Sequence, residues 1–183
     1  MSGKAFAADR EADLVAARAR LYALCPAAAD FDRMRLVPRP YVMRLAEPNY
    51  RSPTLATDEH GFRVLVRNRE RLGYREFCAL TGRKAIILGT SIGFGYGLSG
   101  DERALQARLT ACGAGDAAWY NLSLPMANIM QMRIAFELFA SRDARLCVIS
   151  CGVIGLALAL LSQQADSAAF PSVDLGADLT AET

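Results

Sequence analysis

The chain has 183 residues, enough for one domain that buries a core without disulfide or metal staples. Its 52% apolar and 22% charged content belongs to a globular protein and excludes a disordered segment. The net charge of +2, from 21 basic and 19 acidic residues, forms no basic stripe with interleaved aromatics, so nucleic acid is not an expected partner.

In chain order, residues 8–25 read as a helix, because Leu14, Ala17, Leu21 and Leu24 recur at helical spacing with charges opposite, and Pro26 is expected to end it. Residues 1–37 therefore form an N-terminal helical extension. No apolar core of a secretory signal is present there. From residue 38 to about 80 the chain is irregular, since Pro38, Pro40, Pro48 and Pro53 forbid long helices and central strands, and this stretch is expected to wrap the surface. Residues 84–88 (KAIIL) suit a strand covered on both faces. A glycine-rich turn follows (residues 89–100, GTSIGFGYGLSG), then a helix over 101–109 with acidic residues in its first turn.

The next strand is expected at 119–122, and a helix at 128–140 with Ile129, Met132, Phe136 and Phe139 on one face. A third strand at 145–150 and a third helix at 155–164 complete the pattern. The order is βαβαβα, which predicts a parallel sheet with right-handed crossovers in a domain over 38–162. Residues 163–183 have weak periodicity and read as a frayed tail. The uncharged run at 146–161 is shorter than the about 20 residues of a membrane span and is broken by Gly152 and Gly155. It is read as a buried strand and helix rather than a span.

Five cysteines (Cys25, Cys78, Cys112, Cys147 and Cys151) make an odd set without a CxxC pair. With His60 the chain's single histidine, no zinc site of ordinary spacing can be drawn, and no cofactor is expected. The cysteines are expected to be small buried hydrophobes in a reducing compartment, the cytoplasm.

Chemistry in an open parallel sheet sits beyond the carboxyl ends of the strands, where the turn after Leu88 falls. Two mechanisms compete for it. Gly95, Gly97 and Gly100 match GxGxxG ahead of a helix, with Asp116 near the spacing of a ribose-binding acid, which gives a nucleotide-binding reading. The first of these glycines, however, comes well after the strand, and no second strand precedes Asp116. The alternative is a serine nucleophile: Ser91 lies between Gly89 and Gly93, where a tight backbone brings a hydroxyl to the mouth of the sheet near free N–H groups. A turn serine that merely caps backbone fits the same spacing.

Residues 88–102 (LGTSIGFGYGLSGDE) resemble the first block of the SGNH (GDSL-type) hydrolases. Residues 57–63 (TDEHGFR) resemble a segment that precedes that block in many bacterial members. Residues 120–125 (YNLSLP) with Asn128 and Gln131 resemble the second strand and its loop, and residues 148–156 (VISCGVIGL) the third block. The resemblance implies a three-layer flavodoxin-like fold, reduced to about three strands, with Ser91 as the nucleophile of an esterase or acyl-transfer reaction on a small-molecule or sugar ester.

It also implies backbone N–H groups of Ser91 and Met126 as oxyanion donors. The family's asparagine position is occupied by Ile154, which cannot donate a hydrogen bond. Losing one such donor costs roughly 10²–10³ in rate. The family's Asp-x-x-His block has no counterpart, because no histidine follows Ser91. His60, beside Asp58 and Glu59, is the remaining candidate base, although it precedes the nucleophile and reads more simply as an exposed turn residue. Three expectations follow: a hydrolase whose remaining part lies beyond this chain, an oligomer or partner that covers an exposed sheet edge, or a non-catalytic relative that binds through the same crevice.

Overall fold

The computed structural model describes residues 3–125 and 127–150. Two helices come first, α1 (Gly3–Leu24) and α2 (Pro26–Arg33). Pro26 does not only end the first helix. It occupies the first turn of the second, where its missing N–H costs nothing. The expected apolar face of α1 is not buried: Leu14 and Leu24 are 60% and 87% exposed, and Leu21 is also exposed. Helical spacing marks a face without saying what covers it. α2 is anchored, with Ala27, Ala28 and Phe31 buried, while its buried Asp30 accepts a hydrogen bond from the Thr54 hydroxyl at 2.7 Å.

Two short antiparallel hairpins follow, β1 (Leu36–Arg39) with β2 (Met43–Ala46) and β3 (Leu65–Arg67) with β4 (Glu70–Leu72). Asn68 and Arg69 turn the second hairpin with φ of +52° and +69°, as a two-residue turn of this hand requires. The helix α3 (Tyr74–Ala79) leads into the central strand β5 (Arg83–Gly89). The prolines do keep the elements of this stretch short, but the stretch does more than wrap the surface as expected. Val42, Leu45, Phe62, Leu65 and Phe77 are each at most 2% exposed and join the main core. Proline restricts the backbone ladder, not burial of the side chains around it.

The remainder is α4 (Ser91–Phe94), a 3₁₀ turn at Asp101–Arg103, α5 (Leu105–Ala111), β6 (Ala117–Asn121), α6 (Ile129–Phe139) and β7 (Ala144–Ser150). β5, β6 and β7 form one parallel sheet in the order β6-β5-β7, with Ile87 opposite Asn121 and Gly89 opposite Ser150. Alternation along β5 divides the interior. Ile86 and Leu88 face Tyr120, Met132 and the hairpin residues, whereas Ala85 and Ile87 pack with Trp119 and Leu109.

On α6 the buried positions are Met132 and Ala135. Ile129 and Phe136, expected inside, are 49% and 39% exposed. Among the described residues β6 and β7 are the sheet's outer strands, and Leu146, Val148 and Ile149 of β7 are all exposed. Of the four described cysteines, all free thiols, Cys112 is exposed and the others half-buried, so none is the fully buried hydrophobe expected. No described helix is long and apolar enough to cross a membrane. The expected helix at 155–164 and the tail lie outside the described residues.

Candidate functional site at the carboxyl end of the central strand

The connection from β5 leads to β6 on one side, and the next connection carries the chain across to β7 on the other. Such a reversal of strand order opens a crevice above the central strand, the usual ligand position in open α/β sheets. Ser91 is the second residue past the end of β5, at the first position of α4. It is half-buried, and among the described residues its hydroxyl has no hydrogen-bond partner.

Local sequence explains how α4 sits there. A side chain at Gly93 would place its Cβ 2.6 Å from Ser123 Oγ, and one at Gly89 would come within 3.2 Å of Gly93 Cα. Both glycines are required for the helix to settle directly on the strand end. Gly95, at φ +86°, then closes α4: the Tyr96 N–H bonds Ser91 O at 3.0 Å and the Gly95 N–H bonds Ile92 O at 3.0 Å, the paired bonds of a Schellman end.

A buried polar frame fixes the other carbonyls of this turn. Asn121 Nδ2 donates to Gly93 O at 2.7 Å and to Gln106 Oε1 at 3.0 Å, and Gln106 Nε2 donates to Val64 O. Arg63, fully buried, donates through Nη1 to Phe94 O and Gly95 O, through Nη2 to Thr54 O, and through Nε to Asp101 Oδ1 at 2.9 Å. Asp101 Oδ1 also accepts the Ala56 N–H. Its Oδ2 lies 3.2 Å from Arg71 Nε but makes no well-directed hydrogen bond. Burial pushes the Asp101 carboxyl upward while the Arg63 guanidinium opposes it, and the guanidinium stays charged. Tyr96 ties the turn outward. Its hydroxyl bonds Asp32 at 2.7 Å, and burial with that bond pushes the phenol up to about 12.

Besides Asp101 Oδ2, a second group in this frame lacks a hydrogen bond: Ser123 Oγ is buried beneath Gly93 without a partner among the described residues. The frame residues Arg63, Asp101, Gln106, Asn121 and Ser123 were not singled out by the sequence pattern. The available signal was polar residues inside apolar stretches, Gln106 in ALQARL and Asn121 in WYNL.

Ser91 and His60 are not brought together. The His60 ring lies 5.2 Å from that of Phe139, the last residue of α6, and 5.2 Å from Tyr74. The same end of the molecule holds Asp143, bonded to Lys84 near the start of β5. The seven residues of β5 separate that end from Ser91 by about 20 Å. His60 is half-buried among rings rather than exposed, and its nearest carboxylate is Glu59 at 3.8 Å. Asp58 is engaged elsewhere, accepting the N–H groups of His60, Gly61 and Phe62 on Oδ1 and the Tyr120 hydroxyl on Oδ2 at 2.6 Å. Burial raises the Asp58 carboxyl against the pull of those four donors.

Of the glycines of the GxGxxG match, Gly95 serves the frame. A Cβ on Gly95 would lie 2.7 Å from Arg63 Nη1, and Asp116 stands just before β6, at the opposite end of the sheet from the turn. Met126 and Ile154 lie outside the described residues. Among the described residues no three His, Cys, Asp or Glu side chains group as a metal site. Neither the protein-family models nor the curated proteins contain a match to this chain.

Proposed function

We propose that the crevice at Ser91 is an acyl-ester site of the SGNH type, with Ser91 as nucleophile in hydrolysis or acyl transfer on a small-molecule or sugar ester. The observation that carries this reading is the unbonded Ser91 hydroxyl at the strand-order reversal, on a turn whose Gly93, Phe94 and Gly95 carbonyls are held by buried side chains. The motif at residues 88–102 supports it, as does a sheet order that matches the first three strands of a flavodoxin-like arrangement. In this reading Ser91 Oγ attacks the ester carbonyl, its proton passes to a base, and the alcohol leaves from the tetrahedral intermediate. The oxyanion donors in this reading are the two backbone N–H groups that the resemblance assigns, those of Ser91 and Met126.

A second reading rests on a specific observation. Among the described residues no histidine or carboxylate bonds Ser91, and a triad without its base keeps only the residual catalysis of binding and the oxyanion hole. In that case the crevice binds an ester-like ligand without turnover. Intact mass after incubation with a fluorophosphonate, beside a Ser91→Ala control, separates the two. The nucleophile reading expects one adduct that is lost in the variant. A folded protein that takes no adduct leaves the binding reading.

A further inference from the structure

At the other end of the molecule, a cleft of about 150 Å³ opens between the tip of the first hairpin and the last turn of α6. Its walls are apolar: Val42 and Leu45 are 2% exposed, Phe139 is half-buried and Leu138 reaches solvent. Two nitrogen-bearing side chains line the same space, Arg39 and His60. The chain's other arginines near carboxylates use them, as Arg35 does with Glu47 at 2.7 Å and Arg75 with Glu59 at 3.4 Å. Arg39 is half-buried, yet among the described residues its side chain has neither an ion pair nor a hydrogen bond. Glu59, the acid nearest the His60 ring, is already shared with Arg75.

The hairpin tip that carries Arg39 is held in one shape. The Val42 N–H bonds Pro40 O at 2.8 Å across Tyr41, whose φ is +68°, which is a strained γ-turn. Pro40 fixes its own φ in addition. An arginine carried on a rigid backbone, lining an apolar hollow and lacking a counter-charge, leaves its guanidinium available to a carboxylate.

We propose that this cleft binds a small apolar carboxylic acid, with a ring or short branched chain against Val42, Leu45 and Phe139 and the carboxylate toward Arg39. The volume sets the size. A cavity of about 150 Å³ in another protein holds one benzene molecule, so a benzoate-sized anion fits. A planar carboxylate matches the guanidinium fork better than a point charge would. The site is separate from the Ser91 crevice and does not depend on the reading of that crevice.

His60 supplies the readout, because it is the only histidine in the chain and its imidazole resonance stands alone in a proton spectrum. The full chain is titrated at fixed pH with benzoate, its neutral isostere benzamide, and benzylamine. The expected result is a saturable shift with benzoate, binding about tenfold or more weaker with benzamide, and no saturable shift with benzylamine. Arg39→Leu is expected to abolish the preference for benzoate over benzamide while both still bind. Leu138→Trp, at a position already 53% exposed, fills the cleft and is expected to remove both responses. The amide spectrum of each variant checks its fold. Absence of saturation with benzoate, equal affinity for the three compounds, or benzoate binding that survives Leu138→Trp overturns the proposal. Fluorophosphonate labelling at Ser91 is read independently, so failure here is distinct from failure there.

Discussion

The two ends of β5 are secured by different chemistry. At its carboxyl end, buried Arg63, Asn121 and Gln106 place their donors on carbonyls of the α4 turn and its neighbours. At its amino end, Lys84 pairs with Asp143 at 2.7 Å, and the rings of His60, Tyr74, Phe77, Tyr120 and Phe139 pack around it. Ring packing is tolerant of small shifts, whereas donors aimed at particular carbonyls define a backbone conformation. The difference matches what each end presents: an unbonded hydroxyl on a fixed turn at one, an apolar hollow at the other.

The comparison is broken most severely at Arg63. Arg63→Met leaves buried Asp101 with only the partly exposed Arg71 as counter-charge and frees three carbonyls, so urea unfolding should show a loss of about 3–5 kcal/mol. A loss under 1 kcal/mol would mean the frame is not what holds α4. On the aromatic side, Tyr120→Phe removes the one side-chain donor to Asp58 but keeps the ring stacked on Phe77 at 4.8 Å. A loss of about 1–3 kcal/mol is expected by the same measurement. Since burial and the bond to Asp58 hold the Tyr120 phenol well above its ordinary value, the phenolate absorbance that Tyr120→Phe removes should arise only as the protein unfolds, and the two proteins should titrate alike near pH 10.

The tight seat of α4 sharpens the contrast. Gly93→Ala should cost about 1–3 kcal/mol by crowding Ser123 Oγ, and Ser123→Gly should restore most of it in the double variant. Two independent, additive losses would show that the helix can shift. Ser123→Ala alone should be neutral or slightly stabilising, because it deletes an unsatisfied hydroxyl.

The smallest effect belongs to Asp143, whose carboxyl the hydrogen bonds from Lys84 and Ser141 pull down from 3.8 to about 2. A depressed carboxyl stabilises the fold above its unfolded value and loses that contribution as pH falls through the folded one. The gap in melting temperature between the wild type and Asp143→Asn should therefore be constant above about pH 4 and close between about pH 4 and 2. A gap that persists at pH 2 would assign the variant's loss to something other than charge.

Much of the sheet was legible because β5 buries both faces and so reads as an uninterrupted apolar run. Faces were less legible. α6 carries apolar residues nearly all round, so periodicity alone could not choose Met132 and Ala135 over Ile129 and Phe136. The position of Ser91 followed from the strand and its glycines. The frame beneath it did not, since Arg63 meets Asp101 and the carbonyls of Phe94 and Gly95 only after distant segments have folded together. Pairing across such separations leaves no periodic trace in one sequence. His60 was misplaced for the same reason, since its surroundings depend on where α6 ends.

The position of β5 in the sheet has a consequence for the growing chain. It is the most deeply buried of the three strands and the first to be made, yet both of its partners lie later in the sequence. Until they arrive, residues 85–88 are an exposed β-forming stretch prone to pair with other chains. Arg83 and Lys84 stand immediately before it and act there as gatekeepers, keeping unpaired copies apart by charge repulsion. Lys84 then changes role. Once β7 and the turn before it are in place, the same ammonium is 2% exposed and bound to Asp143, so a charge that guards the unfinished chain becomes a pin in the finished one.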